Sequence, residues 1–131
     1  MSHLEVTMRD GIATLTMNRP DARNALSMEM RRELSDALHD AELNESIRCV
    51  VLRGAGEHFM AGGDVKGMGE SIKKSPNEIK KEFMLRIHDL HPIMFAMRRM
   101  PKPIIASCRG AAAGAGAVSY THLTLPTKDS V

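Results

Sequence analysis

Two segments with almost no side-chain bulk are the places where this sequence could do chemistry. Residues 59–64 read FMAGGD and residues 110–116 read GAAAGAG. Small residues let a ligand approach the backbone closely and let amide N–H groups point into a cleft, where a helix amino terminus adds partial positive charge. Two amides directed at one oxygen form an oxyanion hole, and losing one donor typically costs about 3 kcal/mol of transition-state stabilisation. The two segments therefore suggest main-chain stabilisation of a developing negative charge.

Glycine-rich segments of this kind also occur where no oxyanion is bound. Taken alone, each is often only a tight connection or a site of close helix packing. A phosphate-binding loop is the competing function, but the chain contains neither a GxxxxGKS/T motif nor GxGxxG. The nearest match, at residues 114–116, has no third glycine in place. The sequence argues against nucleotide binding of that kind and leaves the tight connection open beside the oxyanion hole.

The side chains offer no recognisable metal site or partnered nucleophile. Cys49 and Cys108 show no CxxC spacing and no histidine in ligand register, so we predict two buried thiols. A serine hydrolase would need a nucleophile beside a glycine-rich segment, where Ser107 and Ser119 are the nearest candidates. Six histidines lie outside any nucleophile motif, and none is assigned a role: His3, His39, His58, His88, His91 and His122.

The composition is typical of one soluble globular domain. The chain has 131 residues, of which 43% are apolar and 26% charged, and its formal net charge is +2. A basic cluster at residues 73–74 and 80–81 is most simply an exposed helix face, so we expect no nucleic-acid partner. No run approaches the roughly twenty apolar residues of a membrane helix, and residues 1–11 lack the apolar stretch of a signal peptide. We therefore expect no membrane partner and a cytoplasmic location.

The first half of the chain predicts a hairpin, a helix and a buried strand. Apolar and polar residues alternate over residues 4–8, a turn follows at Arg9-Asp10-Gly11, and residues 12–17 are rich in β-branched and apolar types. Ser27 can cap a helix with apolar residues at three- and four-residue spacing. The run at residues 49–52 predicts a central strand that is covered on both faces.

The second half predicts a long helix and another strand. Ser75-Pro76-Asn77-Glu78 forms a capping box with proline at the first helical position, and we expect Pro92 to kink or split the helix that follows. Residues 104–108 predict a buried strand. Strand, glycine-rich turn and helix or loop thus recur, which indicates an α/β fold with the two turns at neighbouring strand ends.

Four ordered motifs give the sequence a resemblance to a known family. They are residues 18–20 (NRP) with 23–26 (RNAL), residues 49–54 (CVVLRG), residues 59–65 (FMAGGDV), and residues 101–106 (PKPIIA) leading into 110–116. In this order they resemble the signature of the crotonase (enoyl-CoA hydratase/isomerase) family over residues 1–117. The resemblance implies a fold of repeated ββα units around a twisted sheet.

The resemblance also implies roles for individual residues. The thioester carbonyl of an acyl-CoA would be held by the backbone N–H groups of Gly63 and Ala115, which would stabilise an enolate. Arg23 and Lys66 occupy positions that often contact CoA, although solvated surface charge accounts for them about equally well, and Asp64 would cap the turn that follows. The implied substrate-binding set is completed by four small residues: Ala25, Ala61, Gly62 and Gly114. No cofactor is implied, because coenzyme A is part of the substrate.

The sequence departs from the family pattern near its end. Hydratases of this family use two glutamates for acid and base work on water; Val118 occupies the first position and the second would lie beyond Val131. Residues 118–131 resemble no part of the family and are interpreted as an assembly artefact that follows an amino-terminal fragment, residues 1–117. We therefore expect the isolated chain to be inactive, and the parent protein to be a homotrimer or hexamer. The alternative is a non-catalytic acyl-CoA-binding or assembly module of the same fold.

Overall fold

The described part of the chain forms a four-stranded sheet and two long helices. A computed structural model describes residues 2–62, 74–110 and 112. In chain order the elements are β1 (Leu4–Arg9), β2 (Ile12–Met17), a 3₁₀ turn (Pro20–Ala22), α1 (Met28–Leu43), β3 (Cys49–Gly54), α2 (Pro76–Arg99) and β4 (Ile104–Ser107). The mixed α/β class predicted from the sequence is confirmed.

The sheet combines one antiparallel pair with two parallel pairs. The strand order is β1-β2-β3-β4; β1 and β2 are antiparallel, whereas β2–β3 and β3–β4 are parallel. Asp10 and Gly11 join β1 to β2 with φ angles of 53° and 82°, the positive values that primed two-residue hairpin turns require. The predicted hairpin is therefore present, and β3 and β4 end at the same edge of the sheet.

Helix α1 begins at the predicted cap. The hydroxyl of Ser27 accepts a hydrogen bond from the backbone N–H of Met30 at 3.1 Å, so it satisfies one of the donors that a helix start leaves open. The apolar residues of α1 that face the sheet recur at helical spacing and are buried: Met30, Leu34, Leu38 and Ala41.

Helix α2 also begins as predicted, but it is not split. The hydroxyl of Ser75 accepts from the N–H of Glu78 at 3.3 Å, and Pro76 occupies the first helical position. The helix then runs without interruption past Pro92 to Arg99. A proline removes one helical hydrogen bond, and the buried residues Ile93 and Met97 hold the last two turns against the core, so packing outweighs the local break.

The core lies on one face of the sheet. Helices α1 and α2 pack over alternate strand residues, which are all buried: Ala13, Leu15, Met17, Val50, Leu52, Ile104 and Ala106. The prediction that β3 is covered on both faces is wrong for the described part of the chain. On the second face Val51 is only half-buried, Arg53 is exposed and Ile105 in β4 is 40% exposed. A short apolar run has the same appearance whether one or both faces are covered, which is why the sequence did not distinguish them.

Candidate functional site

The described parts of the two glycine-rich segments, residues 59–62 and residues 110 and 112, lie side by side. Met60 forms an isolated parallel bridge with Ala112, and the N–H of Phe59 donates to the carbonyl of Arg109 at 2.7 Å. These contacts lie beyond the carboxyl ends of β3 and β4, which are parallel neighbours. The prediction that the two segments meet at neighbouring strand ends is confirmed.

Close approach of the backbones accounts for the glycine at position 110. Gly110 has φ 62°, and an added Cβ would meet the carbonyl oxygen of Glu57 and would lie 2.6 Å from Nδ1 of His58. Any other residue would be strained in conformation and would also force the two segments apart. The sequence had left open that a glycine-rich segment serves only close packing. Gly110, at the start of the second segment, serves such packing.

A buried asparagine holds the first segment from the other side. The Asn24 side chain is fully buried, donates to the carbonyls of Ala55 and His58 at 2.9 and 2.8 Å, and accepts from the N–H of Arg19 at 2.8 Å. Its own φ is 57°, a conformation that asparagine tolerates better than most residues. Asn24 belongs to one of the four motifs, but the sequence alone assigned it no role. Its place in a short non-helical motif was the one sign that its side chain could bond to the backbone.

The segment around Asn24 also pairs with the backbone that leads to the proposed site. The N–H of Ala61 donates to the carbonyl of Arg23 at 3.0 Å, and the N–H of Leu26 donates to the carbonyl of Gly62 at 2.8 Å. Residues 60–62 are thus held between residues 23–26 on one side and Ala112 on the other. This arrangement leaves the backbone little freedom where it enters the candidate site.

Four of the predicted site residues are brought together by these contacts: Arg23, Ala25, Ala61 and Gly62. Ala25 is buried and its carbonyl accepts from Nη1 of Arg19 at 2.8 Å, whereas Ala61 is half-buried and Arg23 is exposed. Gly62 has φ 106°, which side-chain-bearing residues rarely adopt. The other predicted site residues lie outside the described residues: Gly63, Asp64, Lys66, Gly114 and Ala115. Their roles stay predictions, as does the family boundary near residue 117.

The structure gives little support to a nucleophilic role for the candidate serines and cysteines. Ser107 lines a cavity of about 20 Å³ between the ends of β3 and β4, together with His58 and Arg109, and a space of this size holds about one water molecule. The thiols of Cys49 and Cys108 are half-buried, not fully buried as predicted, and both are free. Burial raises the pKa of the Cys108 thiol, which keeps it protonated and unreactive at neutral pH. Ser119 lies outside the described residues.

Within residues 2–62, 74–110 and 112, no three His, Cys, Asp or Glu side chains are arranged to hold a metal ion. None of the helices in that part of the chain is both long and apolar enough to cross a membrane. Lys80 and Lys81 are exposed on α2, and Lys74 forms an ion pair with Glu82, in agreement with the predicted exposed helix face.

Comparison with known proteins connects this geometry with a family. The family model for enoyl-CoA hydratase/isomerase matches residues 7–121. The 1,2-epoxyphenylacetyl-CoA isomerase of Escherichia coli (strain K12) is 34% identical over 118 residues, which cover 89% of this chain and 42% of that protein. The 4-chlorobenzoyl coenzyme A dehalogenase-2 of Arthrobacter sp is 34% identical over 115 residues, which cover 87% of this chain and 40% of that protein.

Solved structures agree with the sequence comparison. The crystal structure of an enoyl-CoA hydratase from Polaromonas sp. JS666 superimposes with a TM-score of 0.80 at 35% identity, covering 92% of this chain and 45% of that chain. The predicted crotonase-like fold is thereby confirmed, and the chain spans about two fifths of the length of the curated relatives it matches. The ordered motifs, the meeting of the two glycine-rich segments and the family match all lead to one conclusion: the chain belongs to the enoyl-CoA hydratase/isomerase family.

Proposed function

We propose that this chain supplies the part of an acyl-CoA site that holds the thioester carbonyl, through the backbone N–H groups of Gly63 and Ala115. The observation that carries the proposal is the parallel bridge between Met60 and Ala112. Gly63 follows Met60 by three residues and Ala115 follows Ala112 by three residues. Two segments that run in the same direction from a paired position favour amides that point at the same atom, when those amides lie the same number of residues beyond the pair.

The chemistry of the thioester supports this use of two amides. Removing a proton from the carbon next to a thioester carbonyl leaves an electron pair that builds negative charge on the oxygen, and preorganised N–H donors oppose the resulting rise in energy. The names of the relatives above include an epoxyacyl-CoA isomerase and an aroyl-CoA dehalogenase, which share a CoA thioester and differ in reaction. The shared element that we assign to this chain is therefore the carbonyl site and not one particular reaction.

The remaining predicted residues surround that carbonyl in the proposal. Ala25, Ala61, Gly62 and Gly114 leave room for the acyl-CoA beside the backbone, and Asp64 caps the turn after the first donor. Arg23 and Lys66 contact the CoA phosphates. Arg23 suits this role because its backbone accepts the hydrogen bond from Ala61 while the residue is exposed. Coenzyme A arrives with the substrate, so the proposal needs no separate cofactor.

Binding without turnover is the behaviour we propose for the chain as it stands. Val118 occupies the position of the first family glutamate, and efficient hydration requires two carboxylates with separate acid and base roles. An acyl-CoA-binding module without catalysis, the second candidate function, would behave in the same way. In either case the thioester must bind through the same two amides.

Titration calorimetry with an acyl-CoA thioester, accompanied by a hydratase assay, tests the proposal. We expect heat of binding for the thioester and no hydration above the uncatalysed rate. Replacing Gly63 or Ala115 with proline removes one N–H donor each and should weaken thioester binding roughly tenfold or more. Arg23→Ala should weaken binding of free coenzyme A and of the thioester equally. Equal affinity of both proline variants and the unmodified chain for the thioester would contradict the proposed roles of these amides.

A further inference from the structure

Strand β1 lies at one edge of the sheet that the structure describes. In the described part of the chain its only neighbour is β2. The N–H of Asn18 donates to the carbonyl of His3 at 2.7 Å, which identifies these two as a hydrogen-bonded pair of the antiparallel ladder. Because such pairs alternate, Glu5, Thr7 and Arg9 also exchange hydrogen bonds with β2. The backbone groups of the intervening residues therefore point away from the sheet.

Those outward backbone groups belong mainly to Val6 and Met8. The hydroxyl of Ser2 already bonds to the carbonyl of Leu4 at 2.7 Å, so the end of the strand is partly occupied. The side chains of Val6 and Met8 lie on the face of the sheet that α1 covers, yet they are 51% and 57% exposed. A strand edge that combines unpaired backbone groups with exposed apolar side chains favours pairing with another strand.

We propose that β1 pairs antiparallel with β1 of a second copy of this chain, in the register centred on Thr7. In this register the backbone groups of Val6 lie opposite those of Met8 in the second copy, so both outward-pointing pairs are satisfied. On the covered face Val6 meets Met8 of the second copy, and on the other face Glu5 meets Arg9. Two-fold symmetry produces each of these contacts twice, and the result is one continuous eight-stranded sheet.

Charge distinguishes this register from its neighbours. A register centred on Val6 would put Glu5 opposite Thr7, and one centred on Met8 would put Arg9 opposite Thr7. Only the centre at Thr7 pairs opposite charges, and cross-strand pairs of opposite charge stabilise a sheet whereas like charges destabilise it. In the single chain Arg9 lies 3.7 Å from Asp10, but both side chains are largely exposed, so solvent screening leaves Arg9 available.

Charge reversal measured by analytical ultracentrifugation tests the paired charges. The interface is small, so we expect a weak dimer that forms reversibly as the protein concentration rises. Glu5→Arg or Arg9→Glu alone should raise the dissociation constant about 5- to 10-fold, because each places like charges opposite one another at two positions. The double variant Glu5→Arg/Arg9→Glu should restore the original constant. A chain that stays monomeric at all concentrations, or single variants that dimerise like the unmodified chain, would overturn the proposal.

Disulfide trapping tests the register by an independent route. Thr7 lies on the two-fold axis as a non-hydrogen-bonded pair, whose Cα atoms are about 4.5 Å apart, within the range of a disulfide. Thr7→Cys should therefore give a covalent dimer on mild oxidation, beyond the background from Cys49 and Cys108 in the unmodified chain. Thr14→Cys is the matched control, because Thr14 lies opposite Thr7 on β2 and its two copies would be separated by three strand spacings, about 14 Å. Failure of Thr7→Cys to cross-link, or equal cross-linking of both variants, would show that this register is wrong.

Discussion

At the scale of single residues, Asn24 contributes most to the geometry of the candidate site among the residues that the structure describes. Its amide connects the turn after the first motif with two carbonyls of the loop that follows β3. The same loop leads into residues 60–62, which pair with Ala112. A short polar side chain thus positions the backbone on which the proposed chemistry depends.

Replacing Asn24 with alanine should therefore destabilise the fold and weaken thioester binding together. The change leaves two half-buried carbonyls without their donor and the N–H of Arg19 without its acceptor, and we expect a loss of about 2–4 kcal/mol in the free energy of unfolding. Arg23→Ala, at the neighbouring position with a similar positive φ, should change that free energy by less than about 1 kcal/mol. Urea denaturation measures both free energies, and equal stability of the two variants would contradict the structural role of Asn24.

Features set by neighbouring residues were predictable at this scale, and features set by distant contacts were not. The Ser27 and Ser75 caps and the turn at Asp10 and Gly11 follow from local chemistry, and all three are present. The contacts of Asn24 join residues more than 30 positions apart, which no local pattern reveals. The roles of Gly63 and Ala115 came from the family resemblance and stay predictions.

At the scale of elements, α1 and α2 are joined at the surface by a two-point ion pair. Nε and Nη2 of Arg99 each donate to one carboxylate oxygen of Glu42 at 2.9 Å. The guanidinium of Arg99 holds the pKa of the Glu42 carboxyl below its usual value near 4.5. Because the folded-state pKa is the lower one, ionised Glu42 stabilises the fold above the unfolded value, and this contribution is lost as the pH falls through the folded value.

Thermal unfolding as a function of pH should show this linkage. Glu42→Gln should lower the melting temperature at pH 7, and its difference from the unmodified chain should vanish as the pH falls well below 4.5. Glu45→Gln replaces an exposed glutamate just beyond α1 and serves as the control. If the effect of Glu42→Gln is the same at pH 7 and pH 3, the ion pair does not contribute as proposed.

Pro92 lowers the stability of helix α2, and a substitution can remove this effect. The proline lies inside a continuous helix and its ring is exposed, so alanine should restore the missing hydrogen bond without disturbing the core. We expect Pro92→Ala to raise the free energy of unfolding by about 1–3 kcal/mol. Pro76→Ala, at the first helical position where proline is favourable, should give no such gain. Destabilisation by Pro92→Ala would show that the proline has a packing role.

At the scale of the whole molecule, the described sheet is covered on one face and open on the other. Ile105 and Val51 lie on the open face, and the chain spans about two fifths of the length of its curated relatives. The parallel strands β2, β3 and β4 nevertheless share one edge, beyond which Met60 and Ala112 of the two glycine-rich segments pair. The proposed carbonyl site is built on this edge of the sheet.

Isotope-edited infrared spectroscopy of a bound thioester tests the central claim most directly. An acyl-CoA with a ¹³C-labelled carbonyl should show its C=O stretch at lower frequency when bound than in water, because two fixed N–H donors polarise the bond more strongly than solvent does. The shift should shrink for Gly63→Pro and for Ala115→Pro. A thioester that binds with the same carbonyl frequency as in solution would contradict the two-donor site.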